Sequence, residues 1–200
     1  TADIKKAAQD IVLGASLDNN ILCIAEKSVV AMRQIEPQLV QEMVKAGCVL
    51  LENQQDIQRL VDLTVLPNGT PNKKFVGKNA SVILDAAHIP YNGDPRLIIM
   101  RAPKNHPFAV IEMLMPILPV VTVDSFDEGL DVCLMLEAGL HHTATMHSLN
   151  MERLNRMARK MKTSIFVKNG PSYAGLGFSG EGTTTFTIAT PTGESTTSAR

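Results

Sequence analysis

The 200-residue chain is 44% hydrophobic and 20% charged with a net charge of −1, a balance that suits one domain with a sizeable core and offers no basic run for nucleic acid. No apolar stretch reaches the ~18 residues of a membrane span, and no segment reads as a signal peptide. Cys23, Cys48 and Cys133 are an odd, widely spaced set, which fits a reducing, cytoplasmic setting better than a disulfide framework and lacks the paired spacing of a metal site.

In chain order, Ile4, Ala7, Ala8, Ile11 and Val12 recur at i, i+3, i+4, i+7 and i+8 and predict an amphipathic helix over residues 3–14, with Gly14 helping to end it. A polar turn, Asp18-Asn19-Asn20, precedes Ile21-Leu22-Cys23, and residues 27–32 read as a strand. Glu36-Pro37 opens a helix that runs to Ala46, with Gly47 past its end. Residues 48–51 form a short buried strand with Cys48 in the core, and residues 54–63 a helix. Two prolines and an Asn-Gly make residues 64–78 a loop, where Lys73 and Lys74 are solvated. A short helix follows over 79–87, a buried strand over 97–100, and a loop over 103–107. Strands are predicted at 119–123, 141–147 and 164–167, and helices at 126–138, with Cys133 inward, and at 150–161. Strands that alternate with helices of ten to thirteen residues predict an α/β fold with a mainly parallel sheet flanked by helices.

The alternating, β-branched stretch 183–190 follows the last helix with no helical partner. It predicts a C-terminal strand whose edge is available for pairing with another subunit, and divides the chain into residues 1–182 and a segment 183–200. Gly175-Leu176-Gly177-Phe178-Ser179-Gly180 spells a dinucleotide fingerprint, but a β-branched strand follows where a helix must open, so it is not one. The neighbouring His141 and His142, read as strand residues, point to opposite faces, and His147 reads as structural.

Cys23 is the residue with the most chemistry. A free thiol is a few per cent thiolate at pH 7, and intrinsically nucleophilic enough for covalent catalysis. The segment Asp18-Asn19-Asn20-Ile21-Leu22-Cys23-Ile24-Ala25-Glu26-Lys27 resembles the nucleophile segment of the aldehyde dehydrogenase superfamily, and within it the coenzyme A-acylating branch that includes the propionaldehyde and acetaldehyde dehydrogenases of bacterial microcompartments. The resemblance continues through His106-Pro107-Phe108, Glu112-Met113-Leu114-Met115-Pro116, the block 139–148, the block 163–175 and the block 186–194, and so spans the chain.

That resemblance implies a catalytic-domain fragment, since Thr1 is not Met and both ends read as cut, with a nucleotide-binding domain outside these residues. It implies Cys23 as the nucleophile that carries the acyl group of a short aldehyde, NAD⁺ as hydride acceptor and coenzyme A as acyl acceptor. Glu112 resembles the glutamate that binds the nicotinamide ribose, although Leu114 and Met115 depart from the motif's aromatic and glycine. His142 resembles a histidine beside the coenzyme A thiol. Asn20, Ile24, Asn169 and Ser172 are expected around the aldehyde, with Asn20 shaping the loop. A homo-oligomer and a microcompartment shell are the implied partners. The alternatives are a hydrolytic aldehyde dehydrogenase, which releases free acid, and a non-catalytic assembly module with Cys23 packed inside.

Overall fold

The computed structural model describes residues 2–178; the strand expected at 183–190 and the segment boundary at 182/183 lie outside them. Four strands, β1 (Val29–Met32), β2 (Cys48–Leu51), β3 (Leu97–Arg101) and β4 (Ile117–Val123), form one parallel sheet in the order β1-β4-β3-β2. A second sheet pairs β5 (Thr143–Met146) with β6 (Ile165–Lys168), again in parallel. The α/β reading with parallel strands therefore holds.

Parallel strands need crossovers, and the helices supply them. Helices α1 (Ile4–Ser16) and α2 (Glu36–Lys45) cover one face of the large sheet. Helices α3 (Gln54–Thr64) and α4 (Ala80–Ala86) cover the other. The central strand β3 explains the arrangement. Leu97 and Ile99 pack with Ala8, Val12, Val40 and Met43 on one side. Ile98 and Met100 pack with Leu60, Ile83 and Leu84 on the other. All four strand residues are fully buried, so a run with no alternation is what a strand covered on both faces requires. Helix α6 (Phe126–Glu137) and α7 (Met151–Met161) then pack around the small sheet through Leu130, Met157 and Met161.

Several boundaries differ from the expectation for local physical reasons. The first helix does not stop at Gly14 but runs through it to Ser16. It is capped by Asp3, whose side chain accepts from the Lys6 N–H. The chain then breaks because Asp18, Asn19 and Asn20 all adopt positive φ, at 49°, 52° and 67°, which short polar side chains tolerate better than most. The strand expected from residue 27 begins at Val29. A short helix, α5 (Pro107–Val110), occupies what reads as the end of a loop, capped by His106, whose ring accepts from the Phe108 N–H. His141 has φ 52° and lies before β5, so the opposite-faces argument for His141 and His142 does not apply. The glycine motif at 175–180 begins inside the 3₁₀ turn over Ser172–Leu176, and its last two residues lie outside the described ones.

The core makes a stability prediction. Ile99→Ala leaves a cavity between β3 and α1/α2, and is expected to cost about 2–5 kcal/mol in chemical denaturation, with an unchanged slope against denaturant.

Candidate active site

The loop that carries Cys23 joins the 3₁₀ turn over Leu17–Asn20 to the start of β1. Its two feet are tied together. The Asn20 side-chain amide donates to the Ala15 carbonyl at 2.8 Å and to the Glu26 carbonyl at 2.9 Å. The Lys27 ammonium donates to the Asn20 carbonyl at 2.7 Å, to its side-chain oxygen at 2.9 Å, and to the Leu22 carbonyl at 3.1 Å. Between these feet Cys23 is exposed, while Ile24 and Ala25 turn into the core. The other two thiols are unlike it. Cys48 is buried on β2, and burial pushes its thiol up to about 12. Cys133 is partly buried, and burial pushes its thiol up to about 11.

Glu26 is the least ordinary residue of the loop. It is buried, 8% exposed, and its carboxylate accepts from the Ser172 N–H at 2.8 Å and the Ser172 hydroxyl at 2.9 Å. The contact joins the residue three before β1 to the residue four past β6, and so closes the small sheet's carboxyl end onto the large sheet's amino end. Room for the carboxylate comes from Gly14. A Cβ at that position would overlap the Glu26 side-chain oxygens, which is why a glycine stands on the inner side of α1. Burial pushes the Glu26 carboxyl up to about 7, the Ser172 bonds oppose that rise, and the Asp10 carboxylate adds to it.

Lys27 connects the loop to Glu112. Its ammonium lies 3.9 Å from the Glu112 carboxylate, which is more than half exposed on the segment between α5 and β4. Burial lowers Lys27 to about 8, while the charges of Glu112, Cys23 and Glu26 hold the proton on. On the opposite flank, Gly77 fits against Ile21, where a side chain would overlap it. The Gly77 carbonyl accepts from Asn19 at 3.1 Å, and its N–H donates to the Leu114 carbonyl at 3.0 Å. The Cys23 loop and the Glu112 segment thus share a support.

Of the residues expected around the substrate, Asn20 and Ile24 are buried in the loop's own framework. Asn169, at φ 53°, uses its side chain to bind Ser148: its oxygen accepts from the Ser148 N–H at 2.8 Å, and its amide donates to the Ser148 carbonyl at 3.0 Å. Ser172 is fully buried and engaged by Glu26. His142 sits before β5, where its N–H donates to the Glu137 carboxylate at 2.9 Å and its ring lies 2.7 Å from the Thr143 hydroxyl. The strand separates it by roughly 13 Å from the end at which Asn169 meets Ser148. His147 is partly buried, its Nδ1 lies 3.8 Å from Asp10, and its Nε2 has no hydrogen-bond partner among the described residues.

The sequence reading missed the structural tasks of Glu26, Lys27, Gly14 and Gly77. A signal was present. A Glu-Lys pair entering an aliphatic strand needs partners, and a glycine on the apolar side of a helix is costly unless something fills its notch.

The chain is similar to known proteins in sequence and fold. No protein-family model matches the chain. Over its whole length it is 54% identical to a CoA-propanoylating propanal dehydrogenase of Citrobacter freundii, of which it covers 43%. Among solved structures, it matches a Rhodopseudomonas palustris propionaldehyde dehydrogenase with bound CoA and an acylated cysteine, at TM-score 0.95 and 46% identity, over all of this chain and 45% of that one. It also matches a propionaldehyde dehydrogenase from the fucose utilisation microcompartment of Clostridium phytofermentans, at TM-score 0.93 and 43% identity, over all of this chain and 46% of that one. The chain thus spans less than half the length of the proteins it matches.

Two stability predictions follow from the Glu26 contact. The folded state holds the Glu26 proton more tightly than the unfolded chain, whose carboxyl titrates near 4.5. Its favourable contribution is therefore complete below about pH 4.5 and lost as pH rises through about 7. Glu26→Gln should gain on wild type over that window and stay ahead above it, by on the order of 1–3 kcal/mol; thermal melts at pH 4.5 and pH 8 check this, and a difference independent of pH contradicts it. Gly14→Ala should destabilise the wild type by about 1–3 kcal/mol despite alanine's better helix propensity. In a Glu26→Ala background the same change should be neutral or stabilising, which a double-mutant cycle measures.

Proposed function

We infer that this chain, which belongs to the CoA-acylating aldehyde dehydrogenases over the part of them that it spans, supplies the nucleophile of an oxidoreductase that converts a short aldehyde, NAD⁺ and coenzyme A to acyl-CoA and NADH. The observation that carries the reading is the contrast among the thiols. Cys23 alone is exposed, on a loop pinned at both feet beside a lysine and a glutamate, while Cys48 is buried and Cys133 partly so. A packed, non-catalytic cysteine has no need of such a loop.

In this reading the Cys23 sulfur adds to the aldehyde carbon, and the carbonyl oxygen takes the developing negative charge, for which the Cys23 N–H is a natural donor. NAD⁺ supplies the acceptor for the hydride that leaves that carbon. Loss of the hydride from the Cys23 adduct leaves an acyl thioester on the sulfur. The thiol of coenzyme A then attacks the thioester carbon, its proton is lost to base, and the Cys23 thiolate leaves. One thioester replaces another, so the site's work is positioning and exclusion of water rather than supply of free energy. The acylated cysteine and bound CoA of the Rhodopseudomonas palustris protein support this sequence.

Glu112 fits a ribose hydroxyl. Its carboxylate is exposed, and Lys27 at 3.9 Å anchors it without using up its acceptor sites. His142 is the proposed base toward coenzyme A, on its resemblance to the family's histidine. It stands at the far end of β5, so it would serve a ligand that reaches along that strand. Asn20 and Ile24 shape the aldehyde pocket from below the loop, and Asn169 and Ser172 hold its far wall. Residues 1–182 form the nucleophile-bearing part of the enzyme, and the segment 183–200 pairs with a second copy in a homo-oligomer. Residence within a bacterial microcompartment is supported by the origin of the Clostridium phytofermentans protein. Propanal and acetaldehyde differ by one methylene, worth about 1–3 kcal/mol of discrimination; propanal is preferred on the names of the relatives.

The test is turnover by the full-length protein that contains this chain. Propanal, NAD⁺ and coenzyme A should yield NADH and propanoyl-CoA in equal amounts, followed by absorbance and mass spectrometry. Cys23→Ala should lower the rate at least ~10³-fold. Free acid as the product, formed equally without coenzyme A, would establish the hydrolytic alternative. Turnover that survives Cys23→Ala would remove the thiol from the mechanism.

A further inference from the structure

We propose that Glu26 is a positioning residue for Cys23: its buried carboxyl, seated in the notch at Gly14 and bound by Ser172, holds the nucleophile loop in its reactive conformation and couples that loop to the 172–176 turn. The proposal rests on the reading of Cys23 as the nucleophile.

Three independent features carry it. The first is that Glu26 is fixed at both ends. Its carbonyl accepts from Asn20, which is the loop's other foot, and its carboxylate accepts from Ser172. Cys23 lies between Asn20 and Glu26, so any movement of Glu26 reaches the sulfur through three residues of backbone. The second is that α1 gives up a side chain at Gly14 to admit the carboxyl. A buried carboxyl and a helical glycine are each unfavourable alone, and an alanine and a leucine would fill the same space without either. The third is the chemistry of Ser172. A hydroxyl donates to a carboxylate and accepts from a carboxylic acid, so this partner keeps the contact in both protonation states, and the serine N–H finds an acceptor in each.

Among the described residues, the charged groups around Glu26 are few. Asp10 faces it from α1 and is itself paired with Lys6 and close to His147. Lys27 follows it and feels both Glu26 and Cys23. A shift of Glu26 therefore also moves the ammonium beside the nucleophile. The 172–176 turn has little slack to absorb such a shift, because Gly175 is pressed against Ile165 of β6.

The experiment uses the full-length protein and follows two quantities: the rate at which iodoacetamide alkylates Cys23, read by peptide mass, and the kcat and KM for propanal. Cys48 and Cys133 are internal reporters of general loosening. The expected result for Glu26→Ala is alkylation of Cys23 about tenfold slower, kcat lowered by a similar factor, KM within twofold, and Cys48 and Cys133 still protected. Glu26→Gln, which keeps one acceptor for the Ser172 N–H and a donor for its hydroxyl, should restore both rates to within about twofold of wild type. Ser172→Ala should fall between the two. If Glu26→Ala does not fold, Ser172→Ala decides, with a slower Cys23 and protected Cys48 and Cys133 as the expected result. Cys23 alkylated at the wild-type rate or faster in folded Glu26→Ala, or in Ser172→Ala where Glu26→Ala does not fold, overturns the proposal. So does exposure of Cys48 together with Cys23, which marks a merely structural role. A wild-type Cys23 that resists alkylation overturns the nucleophile reading itself, and the positioning role with it.

Discussion

The structure turns on a carboxyl buried where carboxyls are expensive. Glu26 enters the interior between an aliphatic loop and the first strand of the sheet, and everything around it is arranged to make that tolerable. Ser172 offers two donors, Asn20 holds its backbone, and α1 opens at Gly14 to let it in. Hydrophobic packing alone would hold the two sheets against one another with more freedom, because it has no direction. A buried hydrogen-bonded pair has one satisfactory geometry and a steep penalty for departing from it. The contact therefore specifies a register between the amino end of β1 and the carboxyl end of β6 that apolar surfaces leave undetermined.

This register sets the position of Cys23. Parallel sheets usually present ligands at their carboxyl ends, yet the Cys23 loop enters at the amino end of β1. The small sheet's carboxyl end meets it there: the Asn169 carbonyl accepts from Lys6 of α1 and the 172–176 turn binds Glu26 just before β1, and Cys23 is carried at the edge of that seam. The same seam draws in Glu112 by way of Lys27, and Lys27 also ties Leu22 to Asn20. One lysine thus does for charge what Asn20 does for the backbone.

The stretch around Cys23 departs from several local rules at once. Around Cys23 there are three successive residues at positive φ, a glycine inside a helix, a buried carboxyl and a lysine with a lowered proton affinity. In the middle of the large sheet, β3 has four hydrophobic residues with no exposure at all, and the helices on either side are amphipathic in the ordinary way. These departures fall between Gly14 and Lys27, at the end of α1 and on the loop that exposes the Cys23 thiol.

Periodicity in the sequence was enough to determine the α/β class, most of the helices and the strand at 97–100, because burial on one or both faces writes itself into every third, fourth or consecutive residue. It also determined Cys23 as the residue of interest, since its block of neighbours resembles a family's nucleophile segment. What the sequence left undecided were contacts between residues far apart in the chain. Gly14 reads as a helix stop because a glycine's cost is visible locally and its benefit, room for a carboxyl twelve residues on, is not. Ser172 reads as a pocket residue because it follows a strand, while its partner stands 146 positions away. His142 reads as a neighbour of the coenzyme A thiol from its block, while its place before β5, away from the Asn169–Ser148 contact, follows only from the direction of that strand. Such pairings arise only when the two sheets meet, and no periodicity within one segment carries the position of another.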